Sequence, residues 1–278
     1  MVRPVFIIGS GRSGTRSMYK LLRTCPEIEV HHEYLCEYIQ PLGVLRFANR
    51  ITSNEVVESL KQAHGAAVSL SKQEIWIDAS NKLTWLVPEL LTIFPDALFV
   101  NIVRDGRKVA GSYYRKLPHE IYDDRSVELL KSWLHDPDHN IKPPPEKRYW
   151  WNIPTNEQPF ADAFEEFDQF ERCVYHWVES NRVAKFACDN LIPNTQSLTL
   201  KLEDLTTSIE TQKNLMSFIG VPFRQEFSNL LHRPENVIVP LDVKLNVKQT
   251  QQFVTIGSNM MEVLGYSVDS EEYRVDYR

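Results

Sequence analysis

The sequence contains no apolar run approaching the ~18 residues that a membrane span needs. The four apolar residues from Val5 to Ile8 near its start are too few for a signal-peptide core. Its four cysteines, Cys25, Cys36, Cys173 and Cys188, show no CxxC spacing, so neither a zinc site nor a small disulfide framework is implied. No His/Cys/Asp cluster has a persuasive metal-ligand spacing, and there is no internal repeat. Glycine is scarce, at ten in 278 residues. These absences exclude a membrane-spanning, secreted disulfide-rich or repeat protein and describe a soluble, cytoplasmic chain with no integral membrane segment.

What is present is globular in kind, with 42% hydrophobic and 24% charged residues. The net charge of −6 argues against a nucleic-acid binder. That average hides an inversion. Residues 1–24 carry Arg3, Arg12, Arg16, Lys20 and Arg23 and no acid, and residues 101–116 carry five basic side chains against Asp105. Two short basic segments in an acidic protein point to one local anionic ligand.

Short β-branched runs alternate with helical periodicity. Pro4–Ile8 is a strand, and Met18, Leu21, Leu22 and Cys25 fall on one helix face up to Pro26. Ile28–Val30, Ile75–Ile77, Ala97–Val103 and Leu198–Leu202 read as further strands. Residues 54–64, Leu83–Phe94, Arg107–Arg115, a long stretch through Phe167 and Trp177, and 211–219 read as helices. This alternation predicts an α/β protein with a central parallel sheet flanked by helices, a three-layer arrangement. The chain is expected to form a single domain over 1–278. The stretch 117–160 is read as an insertion: seven of sixteen prolines lie there, with Trp133, Trp150 and Trp151. The acidic tail from Asp269 is expected to be solvated.

Three of the ten glycines lie within six residues, in Gly9-Ser-Gly-Arg-Ser-Gly-Thr-Arg-Ser17. A glycine-rich turn between strand and helix presents backbone N–H groups to an anion, and the helix dipole adds its positive end. Gly9 and Gly14 have the spacing of the ATP-binding P-loop, but Thr15 and Arg16 stand where that motif has lysine and a hydroxyl residue. The cation sits inside the loop instead, at Arg12.

Arg12-Ser13-Gly14-Thr15 resembles the [KR]-[ST]-G-[ST] loop of the sulfotransferases that use 3′-phosphoadenosine 5′-phosphosulfate (PAPS), in the arginine form of carbohydrate and protein-tyrosine sulfotransferases. The resemblance assigns Arg12, Ser13, Gly14, Thr15, Arg16 and Ser17 to the 5′-phosphosulfate. A second segment, Asn101–Tyr114, resembles the family's 3′-phosphate motif, an arginine at a strand end and a serine eight residues on, here Arg104 and Ser112. An arginine offers a planar fork to a phosphate. The family usually has proline where Gly106 stands. Leu198–Leu205, Phe218–Pro222 and Leu264-Gly-Tyr266 follow the family order. The lysine-rich C-terminal cofactor segment of the cytosolic animal enzymes is not found, and Lys244 or Lys248 are the candidates to replace it.

The resemblance implies a P-loop-type fold and transfer of a sulfuryl group from PAPS, leaving adenosine 3′,5′-bisphosphate, with no metal required. It also implies catalytic roles for Glu33, His32, Lys82 and Arg12. Glu33, after the second strand, is the expected general base, with the neighbouring His32 and His31 as alternatives. Lys82 and Arg12 are expected to stabilise the leaving group. Glu37 is a candidate to hold an acceptor cation, and Trp150 and Trp151 are candidates to line an acceptor pocket. The acceptor is a hydroxyl or amine on a sugar, phenol, lipid or peptide, and the sequence leaves it open, with oligomeric state. Two other readings remain open from the residues alone: a small-molecule kinase on a related fold, and a non-catalytic nucleotide-binding module.

Overall fold

The computed structural model describes residues 2–116, 121–155, 158–231 and 244–268. The tail from Asp269 and residues 117–120 and 156–157 of the insertion lie outside them. The five strands are β1 (Arg3–Gly9), β2 (Ile28–His32), β3 (Ile75–Ala79), β4 (Leu98–Val103) and β5 (Ser197–Lys201). They form one sheet in the order β2-β3-β1-β4-β5, and every pairing is parallel. The fold is therefore α/β, as the alternating pattern predicts.

The helices α1 (Thr15–Leu22), α2 (Cys36–Phe47), α3 (Ser53–Leu60), α4 (Ala66–Leu70), α5 (Val87–Ile93), α6 (Gly106–Lys116) and α7 (Asp124–His135) belong to the first half. They are followed by α8 (Ala161–Phe164), α9 (Gln169–Asn190), α10 (Leu202–Thr207), α11 (Ile209–Ile219), α12 (Glu226–Leu231) and α13 (Val247–Val263).

The pleat of β1 explains the layers. Val5 and Ile7 point to one face, against Met18, Leu21 and Leu22 of α1 and Leu215 and Ile219 of α11. Phe6 and Ile8 point to the other, against Val56 and Leu60 of α3, Leu90 of α5 and Ala184 of α9. Both faces are dry, so β1 and β4 read as apolar runs, broken in β4 only by the buried Asn101, rather than as alternating ones.

Three elements depart from the sequence reading. α2 carries Pro41, and its buried stripe Ile39, Gln40, Gly43 and Val44 includes a glutamine and a glycine, so apolar periodicity did not reveal it. The helix expected at Leu83–Phe94 is two pieces, a 3₁₀ stretch at Asn81–Leu86 and then α5, because Pro88 fits only the first turn of a new helix. The 117–160 segment contains α7, capped by the Asp123 carboxylate on Ser126 N. Its tryptophans join the cluster around α6, α9 and α13.

Candidate active site

The carboxyl ends of the strands are level. Ile7 and His32 both pair with Ala79, Gly9 with Ile102, and Val103 with Lys201. Residues following β1, β2, β3 and β4 therefore meet beyond one edge of the sheet, where α/β proteins bind ligands.

The glycine-rich loop is tightly built there. Thr84 Oγ1 accepts from Gly9 N at 3.0 Å and donates to Gly9 O at 2.9 Å. Gly9 has φ 153, and a Cβ at this position would lie 2.5 Å from Ile102 O, so the loop can lie against β4 only as glycine. At Gly11 a Cβ would collide with the Tyr113 hydroxyl. That hydroxyl donates to Ser10 O at 2.9 Å, and His176 Nε2 donates to the same carbonyl at 3.1 Å. Tyr122 O–H lies 3.0 Å from His176 Nδ1, which fixes the tautomer. Burial and the charge of Lys82 push the His176 imidazole down to about 3, so it is neutral and holds the loop as a hydrogen-bond donor.

The anion-facing groups lie along this loop. Helix α1 has no side-chain cap at Gly14 and no acid in its first turn. Its first N–H groups are left for an external partner. The buried Ser13 Oγ has no hydrogen-bond partner among the described residues. Thr15 is buried, Ser17 half-buried and Arg16 exposed. Arg12 adopts φ 52, a left-handed conformation that a non-glycine residue holds only when its surroundings impose it.

The second basic segment meets this loop directly. Arg104 Nη1 donates to Arg12 O at 2.9 Å, and Arg12 Nε donates to Ser112 Oγ at 2.9 Å. Trp177 Nε1 donates to Arg104 O at 3.2 Å and holds the strand end. A simple pairing of Arg104 with Asp105 is not what forms. The Asp105 carboxylate is bound by Arg107, with Nη2 at 2.7 Å. Burial, with Arg104 and Arg16 close by, draws the Arg12 guanidinium down from its usual range, against an opposing effect of Tyr113. Three arginines crowd one spot.

Glu33 and Lys82 lie beyond β2 and β3. Glu33 is largely buried, has φ 52, and its N–H donates to Ala79 O at 3.2 Å. Burial alone would push its carboxyl up, but Lys82 and Lys147 outweigh this and hold it below the usual carboxylate range. Burial in turn pulls the Lys82 ammonium down, while Glu33 pulls it up. The turn is fixed from beneath by Asp78, whose Oδ1 accepts from Tyr34 N at 3.2 Å. Its Oδ2 lies 3.0 Å from His64 Nε2, with both side chains fully buried.

His32 packs on Tyr19, and burial lowers its pKa. His31 faces away, bonded to Glu29 Oε1 at 2.9 Å and packed on Trp76. Glu37 is exposed on α2. Lys248 is engaged by Asp168 Oδ2 at 2.9 Å, and the Lys244 side chain is exposed.

The 117–160 segment reaches the site, but through a residue that sequence reasoning missed. Lys147 forms an ion pair and a hydrogen bond with Glu33. Gln40 of α2 clamps the approach by donating to the carbonyls of Lys147, at 3.3 Å, and Trp150. Trp150 and Trp151 lie in the cluster around α6, α9 and α13. Each is buried, and their indole N–H groups donate to Pro144 O and Arg148 O, both at 2.7 Å.

Comparison with known proteins agrees with this geometry. The model described as the sulfotransferase family matches residues 4–139. Over those residues the chain is similar to that family. The matched segment runs from β1 through α7, and so contains Arg12, Glu33, Lys82, Arg104 and Ser112. Among solved structures, a sulfotransferase from Alicyclobacillus acidocaldarius superposes with TM-score 0.54 at 14% identity, covering 96% of this chain and 98% of that one. It shares the five-stranded α/β fold. A sulfotransferase domain from the curacin biosynthetic pathway aligns with TM-score 0.49 at 12% identity, over 96% of this chain and 99% of that one. One from the Synechococcus PCC 7002 olefin synthase aligns at 0.47 and 13%, over 91% and 94%. No curated protein matches the chain.

Among the described residues no group of three or more His, Cys, Asp or Glu could hold a metal ion, and no helix is long and apolar enough to cross a membrane. A groove of ≈ 850 Å³ lies along β5 and is lined by Lys185, Thr199, Asp204 and Lys213, residues of none of the loops just described.

Proposed function

We propose that the protein transfers a sulfuryl group from PAPS to an acceptor hydroxyl or amine. The observation that carries this reading is the convergence of two segments far apart in sequence. Arg104 and Ser112 are both bonded to Arg12 of the glycine-rich loop, at 2.9 Å each. A donor with phosphate groups at both its 5′ and 3′ ends needs two neighbouring anion sites, one at a helix N-terminus and one at an arginine fork.

In the reaction the acceptor oxygen attacks sulfur, an S–O bond forms, and the bond from sulfur to the bridging phosphate oxygen breaks. Glu33 takes the acceptor proton. Its depressed pKa keeps it ionised at neutral pH, ready to accept. Arg12, Lys82 and the loop amides face the negative charge that grows on the departing phosphate, which is electrostatic stabilisation by groups already in place. A screen with sulfur-labelled PAPS over sugars, phenols, alcohols and amines tests the activity. Label transfer to no acceptor, with no binding of adenosine 3′,5′-bisphosphate, would refute it.

Two variants probe the assignments. Arg104→Ala removes a charged hydrogen-bond donor. It should weaken adenosine 3′,5′-bisphosphate by about 2–3 kcal/mol, and 5′-AMP by less. Ser112→Ala should shift the same ratio in the same direction. Equal losses for both nucleotides in calorimetry would remove Arg104 and Ser112 from the 3′-phosphate.

Lys147→Met removes one of the two cations that hold the Glu33 carboxyl down. The folded-state pKa of Glu33 then rises. The ionised base is lost sooner as pH falls, so the acidic limb of kcat/KM should move to higher pH. Lys147→Arg should leave that limb in place. An unmoved limb in Lys147→Met would mean that Glu33 is not the titrating base.

A further inference from the structure

The turn that carries Glu33 rests on a buried carboxylate. Asp78 of β3 stands opposite Phe6 of β1 and His31 of β2. Its strand neighbours Ile77 and Ala79 belong to the layer of Val5, Ile7 and Met18. By the pleat, Asp78 points the other way, into the layer that holds Phe6, Val56, Leu60 and Trp76. Its side chain is fully buried there.

Two groups meet this carboxylate. Oδ1 accepts from Tyr34 N at 3.2 Å, and Oδ2 accepts from His64 Nε2 at 3.0 Å. His64 reaches it from a π-helical turn, Lys61–Gly65, between α3 and α4. Such turns are rare and frequently occur at functional sites. The His64 ring is fully buried, edge-on to Tyr34 at 5.4 Å and to Trp76 at 5.6 Å. Its Nδ1 has no hydrogen-bond partner among the described residues, so the ring proton sits on Nε2 and faces the carboxylate.

A carboxylate and an imidazole lose their hydration in an apolar layer, and apolar side chains of similar volume often hold such a place as stably. The turn above the pair gives a reason for it beyond stability. Glu33 and Leu35, on either side of Tyr34, have φ 52 and 48. Non-glycine residues hold that left-handed conformation only when their surroundings impose it. The bond from Tyr34 N to Asp78 falls between the two. Together with the bond from Glu33 N to Ala79 O, it ties the turn to β3.

We propose that His64 and Asp78 are positioning residues for Glu33. His64 orients the Asp78 carboxylate, Asp78 holds the Tyr34 N–H, and the left-handed turn held in this way aims the Glu33 carboxylate at the acceptor. Both act through the backbone of residues 33–35. The proposal rests on the sulfuryl-transfer reading with Glu33 as base, and adds the device that sets the base's direction.

The test compares wild type with His64→Phe/Asp78→Leu, which replaces both partners by apolar side chains of similar size. No buried carboxylate is left unpaired, so the melting temperature should stay near that of wild type. The Tyr34 amide should lose protection against hydrogen exchange. With the best acceptor from the labelled-PAPS screen, kcat should fall by about 10–10²-fold, the loss expected from a misplaced catalytic group. Acceptor KM and affinity for adenosine 3′,5′-bisphosphate should not change. Asp78→Asn is the milder second variant. Its amide oxygen can still accept from Tyr34 N while its NH₂ faces His64, so kcat should fall by less. His64→Gln can donate to the same carboxylate and should keep most of the turnover and of the Tyr34 protection.

Unchanged kcat in either of the first two variants, or wild-type protection of Tyr34 in the double variant, would overturn the proposal. So would a loss of nucleotide affinity in step with kcat, which would make the pair a general support of the fold. Wild-type turnover in Glu33→Gln would instead overturn the assignment of the base, and failure to bind adenosine 3′,5′-bisphosphate would overturn the sulfuryl-transfer reading itself.

Discussion

Glu33→Gln should lose roughly 10²–10⁴ in turnover while binding adenosine 3′,5′-bisphosphate as wild type does; that range is the usual share of general-base catalysis. The amide keeps the volume of the carboxyl and cannot take a proton. The turn beneath it survives, because the contacts that fix it are made by other groups: Glu33 N to Ala79 O, and Tyr34 N to Asp78 Oδ1. The nucleotide-facing groups Arg12, Arg104 and Ser112 bond to one another and not to Glu33. Steady-state kinetics with any acceptor found in the screen, paired with calorimetry on the product nucleotide, reads both quantities. Near-normal turnover would move the base to His32, which packs on Tyr19 and whose lowered pKa leaves it neutral and able to accept a proton. It would not move to His31, which is bonded to Glu29 and packed on Trp76.

Trp150→Ala should be costly in stability rather than in acceptor recognition. The side chain is 1% exposed and packs edge-on to Trp133 at 5.6 Å. Its indole donates to Pro144 O, and its own carbonyl is held by Gln40. Truncating a buried tryptophan costs about 3–5 kcal/mol. For a chain of this size that is a fall in melting temperature on the order of 10 °C. The approach of Lys147 to Glu33 depends on the same few residues, so turnover should fall with the lost ion pair. Thermal unfolding followed with and without nucleotide makes the measurement. An unchanged melting temperature with a raised acceptor KM would return Trp150 to the role of pocket wall that its composition suggests.

The contrast between these residues shows what could be read in advance. The fold was legible because β1, β3 and β4 are short, mostly apolar runs alternating with helical periodicity, a pattern with few solutions besides a parallel sheet. Arg12, Arg104 and Ser112 could be named because their spacing is local: a turn of nine residues, and an arginine followed by a serine eight positions on. Their meeting across 92 residues was an expectation, and the structure brings them within hydrogen-bond distance. Lys147 could not be named. Nothing near it in sequence marks a lysine after three prolines as a partner for Glu33, and only tertiary packing through Gln40 brings it there. His176 was hidden differently. It lies in the apolar run of α9 between Tyr175 and Trp177, where a histidine reads as packing, and its bond to Ser10 O spans 166 positions. The tryptophans of the insertion were misleading because an aromatic pair beside prolines suits a binding wall and a buried anchor equally. Their burial assigns them to the anchor.

The central claim is that the two basic segments form one site for a nucleotide with phosphates at both ends. The most direct measurement is a titration, in the presence of EDTA, with adenosine 3′,5′-bisphosphate, 5′-AMP and ATP, followed by ATP with added magnesium. The account predicts metal-independent binding of adenosine 3′,5′-bisphosphate, with 5′-AMP weaker by about tenfold or more for want of the charged contact at Arg104. Binding of ATP that requires magnesium, with no preference for the 3′-phosphate, would contradict it.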